Sequence, residues 1–328
     1  MFYLILFVLA FIATYFIRHY AIKKSIMDVP NERSSHTTPT PRGGGLAIIF
    51  SIYFGLIVLY ITSNIESGLF FALLCSIPIV IVSLIDDIIS LSSKLRFMAQ
   101  LFSAILAVYF LGGVSSIDFI LFNLEGWYLN IIVVVAIIWF TNLYNFLDGI
   151  DGYSGSQAVL TGTGSFIILQ NEIGLIIALS SLGFLFFNFP LSIGKYYVKK
   201  ASIFMGDVGS ATLGFLFAIL CFSDTSGGNI YVWLILLGLF WFDATITIIR
   251  RYKNKENITE AHKKHAYQRL TQSGWSHFKV STSAIVLNIV FVVGLYFSSK
   301  DYYLYLFTIT IIILYFLVKF IDSKKAFN

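Results

Sequence analysis

Apolar residues do not alternate along this chain; they run in long blocks separated by short polar segments. A membrane-spanning helix needs about 20 mostly apolar residues, and eleven blocks approach that length. They are Phe2 to Ile17, Gly45 to Ile61, Gly68 to Ile85, Phe97 to Leu111, Trp127 to Asn142, Gly155 to Leu169, Ile173 to Phe189, Gly209 to Phe222, Ile230 to Ile249, Val280 to Phe297 and Tyr303 to Phe320. The pattern predicts an all-α polytopic integral membrane protein of about eleven transmembrane helices. The longest polar stretch is only Arg250 to Lys279. Residues 1–328 therefore read as a single membrane-embedded domain, with its chemistry in the loops 18–44, 86–96, 143–154, 190–208 and 250–279.

Composition supports the same class. Of 328 residues, 58% are hydrophobic, 17% aromatic and 12% charged, against about 25% charged in a soluble domain. That excludes a conventional soluble enzyme. The net charge of +5 would suggest nucleic acid only if the basic residues gathered on a soluble face. They follow the loops instead. With the N-terminus outside, 21 of the 22 Lys and Arg fall on the inner side and Lys300 alone lies outside, as the positive-inside rule requires. The expected topology is N-terminus outside and C-terminus cytoplasmic. Phe2 to Ile17 has its charges after it rather than before it, so it reads as a retained first helix, not a signal peptide. Cys75 and Cys221 lie in apolar runs and read as buried small side chains.

The acids carry more information. Asp86, Asp87, Asp148, Asp151 and Asp207 sit at inner ends of the blocks, and Asp243 lies about two turns inside the ninth, where it could pair with Arg250. Each acid alone has an ordinary reading: an interfacial charge, a helix cap or a turn residue before glycine. Together, on one side of a membrane, they need compensation. Asp86 and Asp87 are adjacent like charges, which disfavour each other's ionisation unless a cation is near. Magnesium held by one or two carboxylates plus substrate phosphates would supply it.

Asn142, Asn145 and Asp148 are spaced by three, so a continuing helix would put them on one face. Gly149 and Gly152 then permit backbone turns. In Phe204-Met-Gly-Asp207-Val-Gly-Ser210 an acid opens a helix, where free amides favour phosphate. Arg42 precedes Gly43-Gly44-Gly45 at the start of the second block, Lys94 and Arg96 follow the Asp pair, and His262 and His265 lie in the long basic loop. Two histidines are too few for a closed zinc site, which leaves phosphate contact or solvation.

At this point the motifs resemble a known family. Residues 28 to 45, Asp86-Asp87 with Lys94, Arg96 and Gln100, residues 142 to 152, Met-Gly-Asp-Val-Gly-Ser at 205 to 210 and His-Lys-Lys-His-Ala-Tyr-Gln-Arg at 262 to 269 are similar to the bacterial polyprenyl-phosphate sugar-1-phosphate transferases, glycosyltransferase family 4. The first loop resembles the branch that initiates O-antigen and other surface polysaccharides. Lys263 and Lys264 interrupt the consecutive histidines of the peptidoglycan branch, which argues against a peptidoglycan-precursor substrate.

The resemblance implies transfer of N-acetylhexosamine-1-phosphate from a UDP-N-acetylhexosamine to undecaprenyl phosphate, with release of UMP. It implies a site on the cytoplasmic face of a bacterial inner membrane, membrane lipid as surroundings, no nucleic acid, and either a monomer or a homodimer. By motif, Asn145 and Asp207 match magnesium positions, with manganese as a substitute, and Asp151 lies near the nucleotide base. Asp86 and Asp87, with Asp148, form the catalytic acids. Arg42, Lys94, Arg96, Asn142, His262 and His265 are then substrate contacts.

Three other classes make different demands. A transporter or lipid flippase would spread acids through the bilayer depth, and here only Asp243 is deep. An intramembrane aspartyl protease needs Gly-x-Gly-Asp, but residue 204 is Phe. A CDP-alcohol phosphotransferase needs a further acid pair after Asp148-Gly149, and none precedes Glu172.

Overall fold

A computed structural model of the chain describes residues 1–30, 35–36, 38–193, 196–258, 260 and 262–327. In chain order, α1 (Phe2–Lys23) leads through the short strands β1 (Met27–Asp28) and β2 (Thr40–Pro41) to α2 (Gly45–Ile61), α3 (Ser67–Leu74), α4 (Ile77–Ile88) and α5 (Ser93–Phe110). The strands β3 (Ser116–Asp118) and β4 (Asn123–Glu125) precede α6 (Leu129–Phe146), α7 (Tyr153–Leu169) and α8 (Glu172–Asn188). After β5 (Leu191–Ile193) and β6 (Tyr196–Lys199) come α9 (Asp207–Ser223), α10 (Asn229–Leu236), α11 (Gly238–Lys253), α12 (Ala266–Gln272), α13 (His277–Tyr296) and α14 (Tyr303–Lys324).

Every one of the eleven apolar blocks is helical, two of them as interrupted pairs. Five segments are long and apolar enough to cross a membrane: Phe2–Lys23, Ser67–Ile88, Leu129–Phe146, His277–Tyr296 and Lys300–Lys324. The pair α10 and α11, bent by 75°, makes a sixth. Others, such as α2, α8 and α9, are apolar but only 17 residues long. The chain is thus a mostly helical, multi-pass membrane protein. Its loops are not wholly irregular: three antiparallel two-stranded hairpins, β1–β2, β3–β4 and β5–β6, depart from the all-α expectation.

The core is built around α9. Val208 to Phe222 are all buried, as expected of a helix apolar on every side, and α2, α4 and α6 pack on it. At its start it meets α2 backbone to backbone. Gly44 and Gly45 donate their amides to the carbonyls of Phe204 (2.9 Å) and Met205 (2.8 Å), and a Cβ on Gly45 would overlap Gly209. Cys75 and Cys221 are buried and free, as expected.

The bend between α10 and α11 has an identifiable cause. A helix break within a membrane frees backbone carbonyls that must find partners. The Leu236 carbonyl accepts from the Gln157 amide (2.7 Å) and the Thr161 hydroxyl (3.3 Å), both on α7. Asn288 on α13 donates to the Gln157 carbonyl oxygen at 2.8 Å. Gln157 and Asn288 are 2% and 3% exposed. Replacing Gln157 by Leu leaves the Leu236 carbonyl only the longer Thr161 bond and takes away the acceptor of Asn288, and should cost about 1–3 kcal/mol. A thermal unfolding midpoint in detergent equal to wild type would contradict this account of the bend.

Candidate active site

Several helix ends converge on one place. The ends of α4, α6 and α8 and the starts of α9 and α13 surround one cavity of about 310 Å³. Its lining includes Asp28, Arg42, Asp87, Asn145, Asp148, Asp151 and Asp207.

Asp86 and Asp87 separate because adjacent helical residues point about 100° apart. Asp87 lines the cavity with its side chain 8% exposed, and Arg42 reaches it at 3.4 Å. Asp86 does not line the cavity. It accepts from the Leu91 amide at 2.6 Å and pairs with Arg96 at 2.8 Å. Arg96 also meets Asp207 at 3.4 Å, and Arg42 also meets Asp28 at 3.5 Å. Each arginine therefore bridges two carboxylates from different elements.

The expected run of Asn142, Asn145 and Asp148 along one helical face is corrected. The helix ends at Phe146, so Asp148 stands in the following turn. The Tyr267 hydroxyl accounts for the stop: it donates to the Phe146 carbonyl at 3.1 Å and fills the place a Cβ on Gly149 would take. Gly152, at φ +77°, opens α7. Asn142 faces away, exchanging hydrogen bonds with Gln100 (2.6 and 3.3 Å). Asn145 faces the cavity. Its carbonyl oxygen accepts from the Ser210 hydroxyl at 2.9 Å, and its side chain hydrogen-bonds the Asp207 carboxylate.

Asp148 hydrogen-bonds Ser154. Burial pushes its carboxyl up to about 8 against the Ser154 hydroxyl, and the charges of Asp207 and Asp87 push the same way. Asp151, 6% exposed, is held by the Ala201 amide (3.1 Å) and by His277 (3.4 Å).

The remaining candidates lie outside the cavity lining. Lys94 is exposed at the start of α5. His265 is buried against Asp243 at 3.6 Å, and the His262 ring packs against it at a tilt of 39°, 4.8 Å between ring centres. Burial pushes His262 down to about 4, with His265 and Arg251 adding to it, so its ring is neutral near pH 7. The expected Asp243–Arg250 pair is overturned. Asp243 accepts from the Ala266 amide at 2.9 Å, while Arg250 turns to Asp322 at 2.9 Å.

The structure adds residues that the loops' charge pattern did not single out. Asn188 accepts from Gly152 (2.8 Å) and donates to the Ile203 carbonyl (3.0 Å), tying two cavity-forming loops together. His36 packs on Phe204 at 4.8 Å between ring centres. Gln268 and His277 complete the wall. A polar residue closing an apolar block, as Asn188 does, was the available signal.

The residues also fit a divalent cation of a particular kind. Among the described residues, no three His, Cys, Asp or Glu side chains form a closed metal cage. Yet three carboxylates, Asp87, Asp148 and Asp207, share a lining in which Arg42 is the one described Lys or Arg. The Asp87 Oδ2 is buried without a hydrogen-bond partner. It lies 2.7 Å from where a Cβ on Gly206 would stand, at φ +75°. A magnesium-like ion that takes few protein ligands and draws the rest from phosphates and water suits that donor set.

The cavity thus gathers carboxylates, an amide and an arginine at the helix ends of a membrane protein. Comparison with known proteins gives the family. The sequence profile of glycosyl transferase family 4 matches residues 69–224. The chain is 31% identical to a Bacillus subtilis (strain 168) protein named probable undecaprenyl-phosphate N-acetylglucosaminyl 1-phosphate transferase, over 93% of this chain and 86% of the relative. It is 25% identical to the undecaprenyl-phosphate alpha-N-acetylglucosaminyl 1-phosphate transferase of Thermotoga maritima, over 94% of each. It is 30% identical to the phospho-N-acetylmuramoyl-pentapeptide-transferase of Latilactobacillus sakei subsp. sakei, over 76% of this chain and 82% of that one. The chain belongs to glycosyl transferase family 4 and is an enzyme of the phosphotransferase type.

The raised Asp148 carboxyl makes stability depend on pH. The folded protein holds this proton more tightly than the unfolded chain, so stability is lost as pH rises from the ordinary carboxylate range through about 8. In chelator, the unfolding midpoint of wild type should fall across that window, and that of Asp148→Asn should fall less. Equal slopes would rule out Asp148 as the source.

Proposed function

We propose that this enzyme transfers N-acetylhexosamine-1-phosphate from a UDP-sugar to undecaprenyl phosphate, releasing UMP and forming a lipid-linked diphosphosugar that initiates surface polysaccharide. N-acetylglucosamine is the sugar favoured by the names of the relatives. The chain crosses a bacterial cytoplasmic membrane eleven times, N-terminus outside and C-terminus inside, with its cavity on the cytoplasmic face. The distribution of Lys and Arg supports that orientation. The observation that carries the reading is the meeting of Asp87, Asn145, Asp148, Asp207 and Arg42, from four separate segments, in one cavity.

The acceptor phosphate monoester has a second pKa near about 6, so at neutral pH it is mostly dianionic and needs no strong base. The harder task is bringing one anion to another, where positioning and charge stabilisation carry the catalysis. Arg42, already between Asp28 and Asp87, is placed to screen phosphate charge. Asp87 orients the acceptor and holds any remaining proton, while Asp86 holds Arg96 in place. Asp207 and Asn145 would hold magnesium, or manganese in its stead. When bound, that ion supplies positive charge against the diphosphate.

The relatives also include phospho-N-acetylmuramoyl-pentapeptide-transferases, but Lys263 and Lys264 interrupt the consecutive histidines expected of the peptidoglycan branch. Transport is disfavoured because Asp243, the deep acid, is engaged by Ala266 and His265.

The purified protein should release UMP only when UDP-N-acetylglucosamine and undecaprenyl phosphate are both present with a divalent cation. Asp207→Ala should lower that rate about 100-fold or more. A variant with undiminished, magnesium-dependent UMP release would sink the assignment of Asp207, and UMP release without the lipid would sink the reaction.

A further inference from the structure

The last turn of α14 and the residues after it pack onto the short helix α12, which contributes Gln268 to the cavity. Asp322 accepts from Arg250 of α11 through both carboxylate oxygens (2.9 and 3.0 Å) and from Arg269 of α12 at 2.6 Å. Arg269 also donates to the Lys325 carbonyl at 3.1 Å. Phe327 lies over both guanidinium groups, 5.1 Å from Arg250 and 5.3 Å from Arg269. The Arg269 side chain is 3% exposed, so its charge has left water and depends on this carboxylate for compensation.

Helix α12 has seven residues, too few to be stable alone. Its position must come from what holds it. Asp243 holds its first amide, and Tyr267 docks on the end of α6 beside Gly149. Gln268 lines the cavity. Arg269, the next residue round the helix, points about 100° further on, into Asp322.

We propose that Asp322 is a positioning residue of the active site. By gathering Arg250 and Arg269 on one carboxylate, beneath the Phe327 ring, it fixes α12 and so sets Tyr267 and Gln268 against the turn that carries Asp148. Asp322 is not among the described residues lining the cavity; its effect travels through Arg269. The kinetic arm of this inference rests on the transfer reaction proposed above, and the structural arm does not.

The test uses the full chain in lipid nanodiscs with Asp322→Ala, the conservative Asp322→Glu, and Phe327→Ala. Hydrogen exchange in residues 262–272 should quicken about tenfold in Asp322→Ala, with α9 unchanged. The KM for UDP-N-acetylglucosamine should rise about tenfold while kcat stays within about threefold, because small misplacements of a binding wall are costly. Asp322→Glu should recover most of both effects, and Phe327→Ala should shift both in the same direction by about threefold. Unchanged exchange in 262–272, or an unchanged KM, in a folded Asp322→Ala protein overturns the proposal. Should Asp322→Ala fail to fold, the same two measurements on Phe327→Ala decide it. Absence of UMP release by wild type would defeat the reaction, leaving exchange to judge the positioning role.

Discussion

Carboxylates gathered at the end of a helix bundle repel one another most strongly where water is scarce, and the arrangement of this site follows from how that repulsion is met. Two arginines meet it from outside the acidic segments. Arg42 joins the β1–β2 hairpin to α4 through Asp28 and Asp87, and Arg96 joins α4 to α9 through Asp86 and Asp207. Neither satisfies Asp148, whose carboxyl is pushed up by burial and by Asp207 and Asp87. On the proposed reading, a cation bound there would offset this repulsion and so lower the cost of admitting a polyanionic substrate.

Backbone geometry supplies the rigid frame for those pairs. The Gly44 and Gly45 amides are spent on the Phe204 and Met205 carbonyls, so the glycine run serves close approach of two segments. That clasp puts Arg42, one residue before Gly43, and Asp207, one residue after Gly206, at the same cavity. A side chain on Gly45 would drive α2 and α9 apart, and with them the charges that they carry. The geometry of the cavity is a consequence of how closely two helix starts can pack.

Much of this was legible in the sequence, and the failures have common causes. The eleven apolar blocks become helices because a continuous apolar run in lipid must satisfy its backbone hydrogen bonds within itself. The acids Asp87, Asp148, Asp151 and Asp207 come together as expected, since charge is rare enough here that its placement is informative. Adjacency misled at Asp86, because a helix turns neighbouring side chains apart. Spacing misled at Asp148, because the helix stop depends on Tyr267, more than a hundred residues away. Sequence distance also hid the partner of Arg250. A residue two turns along the same helix is a reasonable guess, but Asp322, on α14, offers both carboxylate oxygens.

The two histidines of the basic loop show why burial matters more than residue type in assigning roles. His265 is buried against Asp243, and His262 is driven neutral by burial and by its neighbours. Neither lines the cavity. Their motif neighbours Tyr267 and Gln268 do the reaching instead, one to the end of α6 and one to the cavity wall. The His-Lys-Lys-His-Ala-Tyr-Gln-Arg segment is therefore divided by face. His265 anchors it to α11, its Tyr and Gln meet the site, and its Arg is secured from α14. A seven-residue helix held from three sides can present a side chain accurately without any stability of its own.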